Sequence, residues 1–415
     1  MRRLLPAAVL LLAACSRTSP SSAPITATLS GSPSGTGAPP GIADAGAPPF
    51  VLAPAVAGRR GSVVGVTSDR KRALVCLVDS RESWVDPLFR WIDLATNAAV
   101  AEWHEPALMG LPRETMTDSQ RVRSRPGVTD AALEADVVRH AAALLEVSAR
   151  DERFAAAPDA SVFNVGDWLY VADTRTGKVG VRLASDASYY PQISPNGAFV
   201  VYTREQGLLD GVVGNYMPFV APLPAGAPSR RLEVKDIDGE LMELSADGRN
   251  LYVQSGHEKP EAGCLVSVEL APPSRATSLF CVTPRERIDG VRFSPSRTLA
   301  VVMAQEGKTG PERAVWIHLP DGANLGELHL PHGFQIAAVT DAGVGLAGGA
   351  SPIADESALV DPAARRFESV KIGVWLPYAF YGAAWVDPHR FVMAEGGGVR
   401  LVDLATAPHS LLPWP

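Results

Sequence analysis

The sequence predicts an all-β protein, a β-propeller of seven four-stranded blades with six as the alternative, and three observations predict it. A tight turn followed at once by an apolar run recurs along the chain, as in "QISPNGAFVVYTRE" (Gln192 to Glu205), "LSADGRNLYVQSG" and "FSPSRTLAVVMAQ". A second element, strand then acidic turn then strand, recurs after the first. The 415 residues are 46% hydrophobic and 20% charged, enough apolar side chain for a large core.

The chain opens on "MRRLLPAAVLLLAACSR": Arg2 and Arg3, an apolar run from Leu4 to Ala14, then Cys15. A basic start and a short apolar run read as a secretory signal, too short to remain as a membrane-spanning helix. Leu12-Ala13-Ala14-Cys15 resembles the lipobox of bacterial lipoproteins. The resemblance implies cleavage after residue 14, diacylglycerol on the Cys15 thiol, export by the general secretory route and attachment to a lipid bilayer at the cell envelope. An ordinary signal peptide with a chance cysteine is the alternative. From Ser16 to Pro49 all but five residues are Gly, Ala, Ser, Thr or Pro, a composition that cannot repay the entropy of ordering. The expected organisation is a signal peptide at 1–14, a lipidated tether at 15–49 and a propeller over 50–415, with a helical insertion near 117–152.

The turn-and-strand units start at Ser68, Ser194, Ser245, Ser294, Thr340 and Val386, the last five spaced by 51, 49, 46 and 46 residues. A period in the forties with several short strands per unit is the signature of propeller blades. Pro, Asp, Asn and Gly make the turn between strands A and B, and the apolar run after it is a buried strand B. The C and D strands with their acidic turn follow in Arg90–Trp103, Leu169–Leu183, Ala314–Leu328 and Val399–Leu412. These units resemble the WD40-like (PD40) repeats of the TolB propeller family, over about residues 60 to 413. Only Ser245-Ala246-Asp247-Gly248 keeps both Asp and Gly of the family's turn, and blade six is Gly-rich and degenerate.

Ser68 and Ser194 stand 126 residues apart, room for one further blade plus an insertion. Thr129 to Arg150 carries Leu133, Val137, Ala141, Leu144 and Leu145 at helical spacing, with Thr129 or Asp130 to cap the start. The expectation is one amphipathic helix between blades one and two, bordering the face where the B–C loops open. Ring closure is expected side by side. Blade seven would be completed by a D strand ending near Leu412, with at most a short addition from Phe50 to Leu52.

Catalytic patterns are sparse. "GSPSG" at Gly31 has Pro33 where a nucleophilic serine belongs, and neither H-E-x-x-H nor paired C-x-x-C occurs. His329 and His332 straddle a proline at a blade junction and read as loop histidines. "EGGGVR" at Glu395 reads as a turn between strands rather than a nucleotide loop, and no cofactor or metal is expected. A formal net charge of −7 argues against nucleic acid as a partner. Cys264 and Cys281 flank "CLVSVELAPPSRATSLFC", whose midpoint falls between Pro272 and Pro273, a place for a hairpin loop. Directly opposed on the C and D strands, the two thiols could form a disulfide, which export would preserve. The alternative is two separate buried thiols, and Cys76 is expected to lie alone on a B strand.

Three functions fit. The first is a non-catalytic scaffold binding an envelope protein or ligand. The second is an envelope lyase or hydrolase with a site assembled from loops, and the third a TolB-like component of an envelope complex. TolB-type proteins precede the propeller with an α/β domain, where this chain has a tether. For the first, the expected surface is the B–C loop face, where Trp84, Tyr216, His257, Lys259 and Lys308 mix aromatic anchors with charge.

Overall fold

A computed structural model describes residues 59–79, 87–104, 130–149, 154–165, 168–184, 191–206, 215–223, 228–232, 237–255, 263–307, 312–331, 334–349, 357–370, 383–395, 398–404 and 409–412. Blade one comprises β1 (Arg59–Val66), β2 (Arg72–Asp79), β3 (Leu88–Asp93) and β4 (Ala98–His104). A helix, α1 (Asp130–Val147), precedes blade two: β5 (Phe154–Ala156), β6 (Ser161–Val165), β7 (Trp168–Ala172) and β8 (Val179–Ala184). Blade three holds β9 (Gln192–Ile193), β10 (Phe199–Gln206), β11 (Asn215–Pro222) and β12 (Arg230–Arg231). Blade four holds β13 (Ile237–Leu244), β14 (Asn250–Ser255), β15 (Cys264–Glu269) and β16 (Ala276–Cys281). Blade five holds β17 (Glu286–Phe293), β18 (Leu299–Glu306), β19 (Glu312–His318) and β20 (Asn324–His329). Blade six starts with β21 (Phe334–Val339), β22 (Gly345–Gly349), β23 (Ser357–Asp361) and β24 (Arg366–Val370). Blade seven holds β25 (Ala383–Asp387), β26 (Arg390–Glu395) and β27 (Gly398–Asp403). The fold is thus a seven-bladed propeller of antiparallel sheets.

One hydrogen-bond pattern recurs in the A–B turns of blades one, three and four. In blade four the Ser245 hydroxyl donates to the Asp247 carboxylate (2.6 Å) and accepts from the Asn250 amide, and the Gly248 amide donates to the Ser245 carbonyl. Ser194 makes the same set with Asn196, Phe199 and Gly197. In blade one the clamp belongs to Thr67, one residue before the Ser68 on which the repeat aligns, with Asp69, Arg72 and Arg70 as partners. The fourth residue must be left-handed, at φ 60° for Arg70, 68° for Gly197, 70° for Gly248, 57° for Arg297 and 85° for Gly343. Glycine enters that region without cost, so the motif ends in Gly three times out of five.

Seven apolar clusters fill the seven seams, among them blades three and four (Val201, Leu251, Val253, Val266) and blades four and five (Tyr252, Leu265, Val302, Val315). The cluster of Val63, Val75 and Leu77 with Val386, Val392 and Val399 joins blade one to blade seven and closes the ring side by side. The inner strand carries a one-residue bulge in blades one, five, six and seven, and a longer irregularity between Asp238 and Met242 in blade four.

Two expectations need correction here. The strand ending at Leu412, β28 (His409–Leu412), does not complete blade seven; it pairs antiparallel with β24 and makes a fifth strand of blade six. The edge of β24 would otherwise be an open template for a strand, and β28 covers it. The helix is the second case. It is wedged into the seam, where Val137, His140, Ala141 and Leu144 are fully buried against Leu74, Cys76 and Phe89 of blade one and Phe154 and Phe163 of blade two. Its ends meet turns at the A–B and C–D end rather than B–C loops. A methyl on Gly177, in blade two's C–D turn, would sit 2.0 Å from the Glu134 carbonyl, and one on Gly65 would meet Val147 at 2.9 Å. Leu145 is exposed and off the buried face; Ala143 and Val147, at the correct helical phase, are buried instead.

Neighbouring turns also touch, because a methyl on Gly248 would lie 2.8 Å from Cδ of Pro195 in the preceding blade. Gly248→Ala therefore meets backbone strain of about 1–2 kcal/mol and a clash. Gly307→Ala, at φ 63° with nothing within 4 Å, meets the strain alone. Thermal denaturation should show the larger loss for Gly248→Ala, and equal losses would contradict contact between the turns.

Candidate functional site

Of the residues expected to form a partner surface, Trp84, His257, Lys259 and Lys308 lie outside the described residues, as does Cys15. Tyr216 is the second residue of β11, its backbone opposite Glu205. His329 ends β20 and is exposed, and His332 lies outside the described residues. The structure places Cys264 opposite Cys281 on β15 and β16 with Sγ atoms 2.07 Å apart, and Cys76 is buried on β2, outside any disulfide.

At the A–B end, acidic side chains are committed to the turns. The Thr67 hydroxyl and the Lys71 amide hold Asp69 below the usual carboxylate range, and the Ser245 hydroxyl and Arg249 amide do so for Asp247. Turns are also cross-linked between blades. Asp341 of blade six accepts from the Ser296 amide (2.8 Å) and hydroxyl (2.6 Å) of blade five, and Arg297 reaches back to Glu243 of blade four (2.5 Å). This end of the ring is stapled.

The opposite end, where B–C loops and D–A connections open, holds a polar cluster at the seam of blades five and six. Glu286 opens β17 and Glu312 opens β19, so both stand at this end. Arg313 donates through Nε and Nη2 to the two oxygens of Glu286, each at 2.9 Å, and through Nη1 to Glu327. This forked pairing, with burial opposing it and Thr283 adding donors, pulls Glu286 down to about 2. One step inward, Asp289 is the bulged residue of β17. From blade six, the Gln335 amide nitrogen donates to Asp289 Oδ2 (3.1 Å) and to Glu312 Oε1 (3.0 Å). Arg287 donates to Asp289 Oδ1 and to Gln305.

Glu312 is the unusual member. It is 7% exposed, and its Oε2 is buried with no hydrogen-bond partner. Burial pushes its carboxyl above the usual range, the Gln335 bond opposes this, and the charge of Asp289 adds to it. A carboxyl of this kind can hold a proton at a pH where its neighbours are ionised. Among the described residues no group of three His, Cys, Asp or Glu side chains is arranged to hold a metal ion. A separate cleft of about 670 Å³ lies between the outer face of α1 and the outer strands of blade one, lined by Trp91, Glu102, Trp103, Arg139 and Glu146.

Sequence reasoning missed this cluster. Asp289, Glu312 and Gln335 are spread over 46 residues and two blades, and a bulge decides where Asp289 points. One signal was available: Glu312-Arg313 is the only charged pair that opens a C strand among the seven.

No protein-family model matches the chain, and no curated protein matches it. Among solved structures it is similar to an oligogalacturonate lyase in complex with manganese, at a TM-score of 0.52 and 9% identity over 85% of this chain and 92% of that one. It is also similar to a puromycin-hydrolyzing peptidase of Mycobacterium tuberculosis, at 0.51 and 12% over 89% of this chain. The match spans 56% of that peptidase. At these identities the likeness is one of fold.

The two glutamates predict opposite pH dependence. The folded state holds the Glu312 proton more tightly than the unfolded chain, so its stabilising effect is full below the ordinary carboxylate range and is lost as pH rises through the raised value. Glu312→Gln should match the parent near about pH 4 and melt higher than it near about pH 8. Glu286, lowered to about 2, contributes stability above the ordinary carboxylate range that is lost as pH falls towards about 2. Glu286→Gln should melt lower than the parent at neutral pH and converge with it in acid. Parallel pH profiles for both variants would refute the assignment.

Proposed function

We propose that the protein is a bacterial lipoprotein, anchored at the cell envelope through lipid on Cys15, whose propeller is a non-catalytic scaffold that binds a protein or ligand on the B–C loop face. The anchor rests on the sequence alone: Arg2, Arg3, the apolar run to Ala14 and the Leu12-Ala13-Ala14-Cys15 motif. Among the described residues no helix is long and apolar enough to cross a membrane, which agrees with attachment by lipid but does not require it.

The observation that carries the choice of face is the contrast between the two ends of the ring. At the A–B end, the Ser245 and Ser296 hydroxyls and the Asp247 and Asp341 carboxylates are consumed in holding turns to strands and to neighbouring turns, and Gly248 packs against Pro195. At the other end Glu312 keeps a carboxylate oxygen without a hydrogen-bond partner, beside Asp289, Gln335 and Arg287. Charged and amide side chains of two blades gathered on a rigid frame are what a binding surface requires.

A second reading, an envelope enzyme of the lyase or hydrolase kind, draws on the same residue. A carboxyl with a raised pKa next to a second carboxylate suits general acid–base work. A lyase and a peptidase are among the proteins of similar fold.

Cys15→Ser should move the protein from the membrane fraction to the soluble fraction. Retention of the variant on membranes in high salt would remove the anchor from the reading. For the face, Trp84→Ala with Tyr216→Ala should abolish cross-linking to the envelope partner captured by the parent, with the melting temperature nearly unchanged. If substitution of Asn196 or Asp247 abolishes capture in folded protein instead, the partner docks at the A–B end.

A further inference from the structure

The seam between blades five and six is latched by polar groups at both ends, and the two latches differ in kind. At the A–B end the Asp341 carboxylate of blade six accepts from the Ser296 amide and hydroxyl of blade five, and the Trp316 indole of blade five donates to the Gly343 carbonyl of blade six (2.8 Å). Burial opposes ionisation of Asp341, but the Ser296 donors outweigh it and hold the carboxyl below the usual range. That latch keeps one charge at neutral pH and in mild acid. At the B–C end the latch is a single neutral group: the Gln335 amide of blade six donates to Asp289 and to Glu312 of blade five. Two carboxyls on one uncharged donor make a contact whose fit depends on their ionisation.

Glu312 opens β19, and its surroundings offer it little charge compensation. From β17 come Asp289, whose charge disfavours the ionised form, and Arg287, which favours it but bonds to Asp289 and Gln305 instead. From β18, Gln305 stands opposite Glu312 in register, followed by the exposed Glu306. From β20, Glu327 is taken by Arg313, and His329 stands opposite Arg313. From β21 comes Gln335. Among the described residues no cation is bonded to Glu312, and its Oε2 is buried without a hydrogen-bond partner.

We infer that loss of the Glu312 proton opens the seam at its B–C end, blade six swinging about the A–B latch so that water reaches Glu312 and Asp289. In the closed seam, burial first and the Asp289 charge second hold the Glu312 proton above the usual carboxylate range. An open seam hydrates both carboxylates and screens one from the other. A group that binds its proton more tightly in the closed state than in the open one drives opening as pH rises. Ionisation also strengthens the bond from Gln335, which works against opening. Burial and Asp289 outweigh that bond, because the carboxyl is raised on balance. The consequence is a B–C face whose polar cluster is closed in acid and accessible at higher pH, whatever that face binds.

Amide hydrogen exchange on the full chain, at about pH 5 and about pH 8, tests this. The reporters are Leu330 and Phe334, whose amides bond the Glu312 and Pro331 carbonyls and pin the connection between the two blades. Dividing their rates by that of Val201 in β10 removes the intrinsic effect of pH on exchange. This ratio should rise at least about threefold from the lower pH to the higher, while the same ratio for Gly343, at the A–B end, stays level. Glu312→Gln, neutral at both values, should keep the ratio at its acid level. Gln335→Met, which removes the latch, should show the raised ratio at both. Should Glu312→Gln fail to fold, Asp289→Asn serves, since without that charge Glu312 ionises at less cost and the rise should shrink. A ratio that stays flat in the parent would overturn the inference. So would a rise that persists in Glu312→Gln or is undiminished in Asp289→Asn, a rise that Gly343 shares, or a Gln335→Met ratio as low as that of the parent in acid.

Discussion

A hydroxyl two residues ahead of a short polar acceptor, closing a turn whose fourth residue is left-handed, is the constraint on which blades one, three and four of this ring depend. It sets the angle at which strand A becomes strand B, and every later strand of a blade is placed by pairing onto that hairpin. The residues involved are small: Thr67, Ser194 and Ser245 each use one oxygen to hold the amide of the residue that starts the return strand, and Thr340 holds that of Val344, one residue before it. The same compactness lets adjacent turns come into contact, Gly248 with Pro195 and Ser296 with Asp341, so a local hydrogen-bond pattern becomes a belt around one end. Where glycine is replaced, as at Arg70 and Arg297, the left-handed backbone persists. Tertiary packing therefore carries the strain at those two blades.

The seam between blades one and two shows what the ring tolerates. Elsewhere two sheets pack face to face, but here an 18-residue helix stands between them and supplies its own buried stripe. His140 in the middle of that stripe lies edge-on to Phe89 at 4.7 Å and to Phe154 at 4.7 Å, joining the sheets through an aromatic ladder that continues to Phe163 and Tyr170. At the solvent edge Arg72 covers the Trp91 ring, 4.9 Å from its centroid, and pairs with Glu146 of the helix. The insertion is thus part of the core, and its loss would open a seam rather than trim a surface.

The blade count and most strands were legible because the turn motif is chemically demanding and recurs within a few residues of one spacing. The errors arose where the chemistry is permissive. The clamp of blade one shifts from Ser68 to Thr67 because both carry hydroxyls and only the pairing Thr67–Arg72 distinguishes them. Blade six looked degenerate from its glycines, yet its C–D turn, Asp361 to Arg365, makes the same carboxylate-to-amide bond as Asp93 and Asp173. Leu145 was assigned to the buried stripe although it follows Leu144 by 100° of helical turn, and burial obeys the angle. The polar cluster was illegible for a deeper reason. Gln335 meets Asp289 and Glu312 only because two blades close on each other, and no spacing within one blade encodes that.

Acidic residues do opposite work at the two ends, and the difference is one of solvation and donors rather than residue type. Asp69, Asp93, Asp173 and Asp247 sit in open turns, receive hydroxyl and amide donors and are held ionised. Glu312 sits in a closed seam, receives one amide donor from Gln335, faces the charge of Asp289 and is pushed towards its neutral form. A carboxyl stripped of water and left one oxygen short of partners is a cost the fold bears, since a glutamine or an apolar residue would fill the same seam without it. The neighbouring Glu286, a few residues away in the same blade, shows that this protein can satisfy a glutamate at that end fully, with both oxygens in the fork of Arg313. The unsatisfied oxygen at Glu312 is therefore a property of that one position and not of the blade.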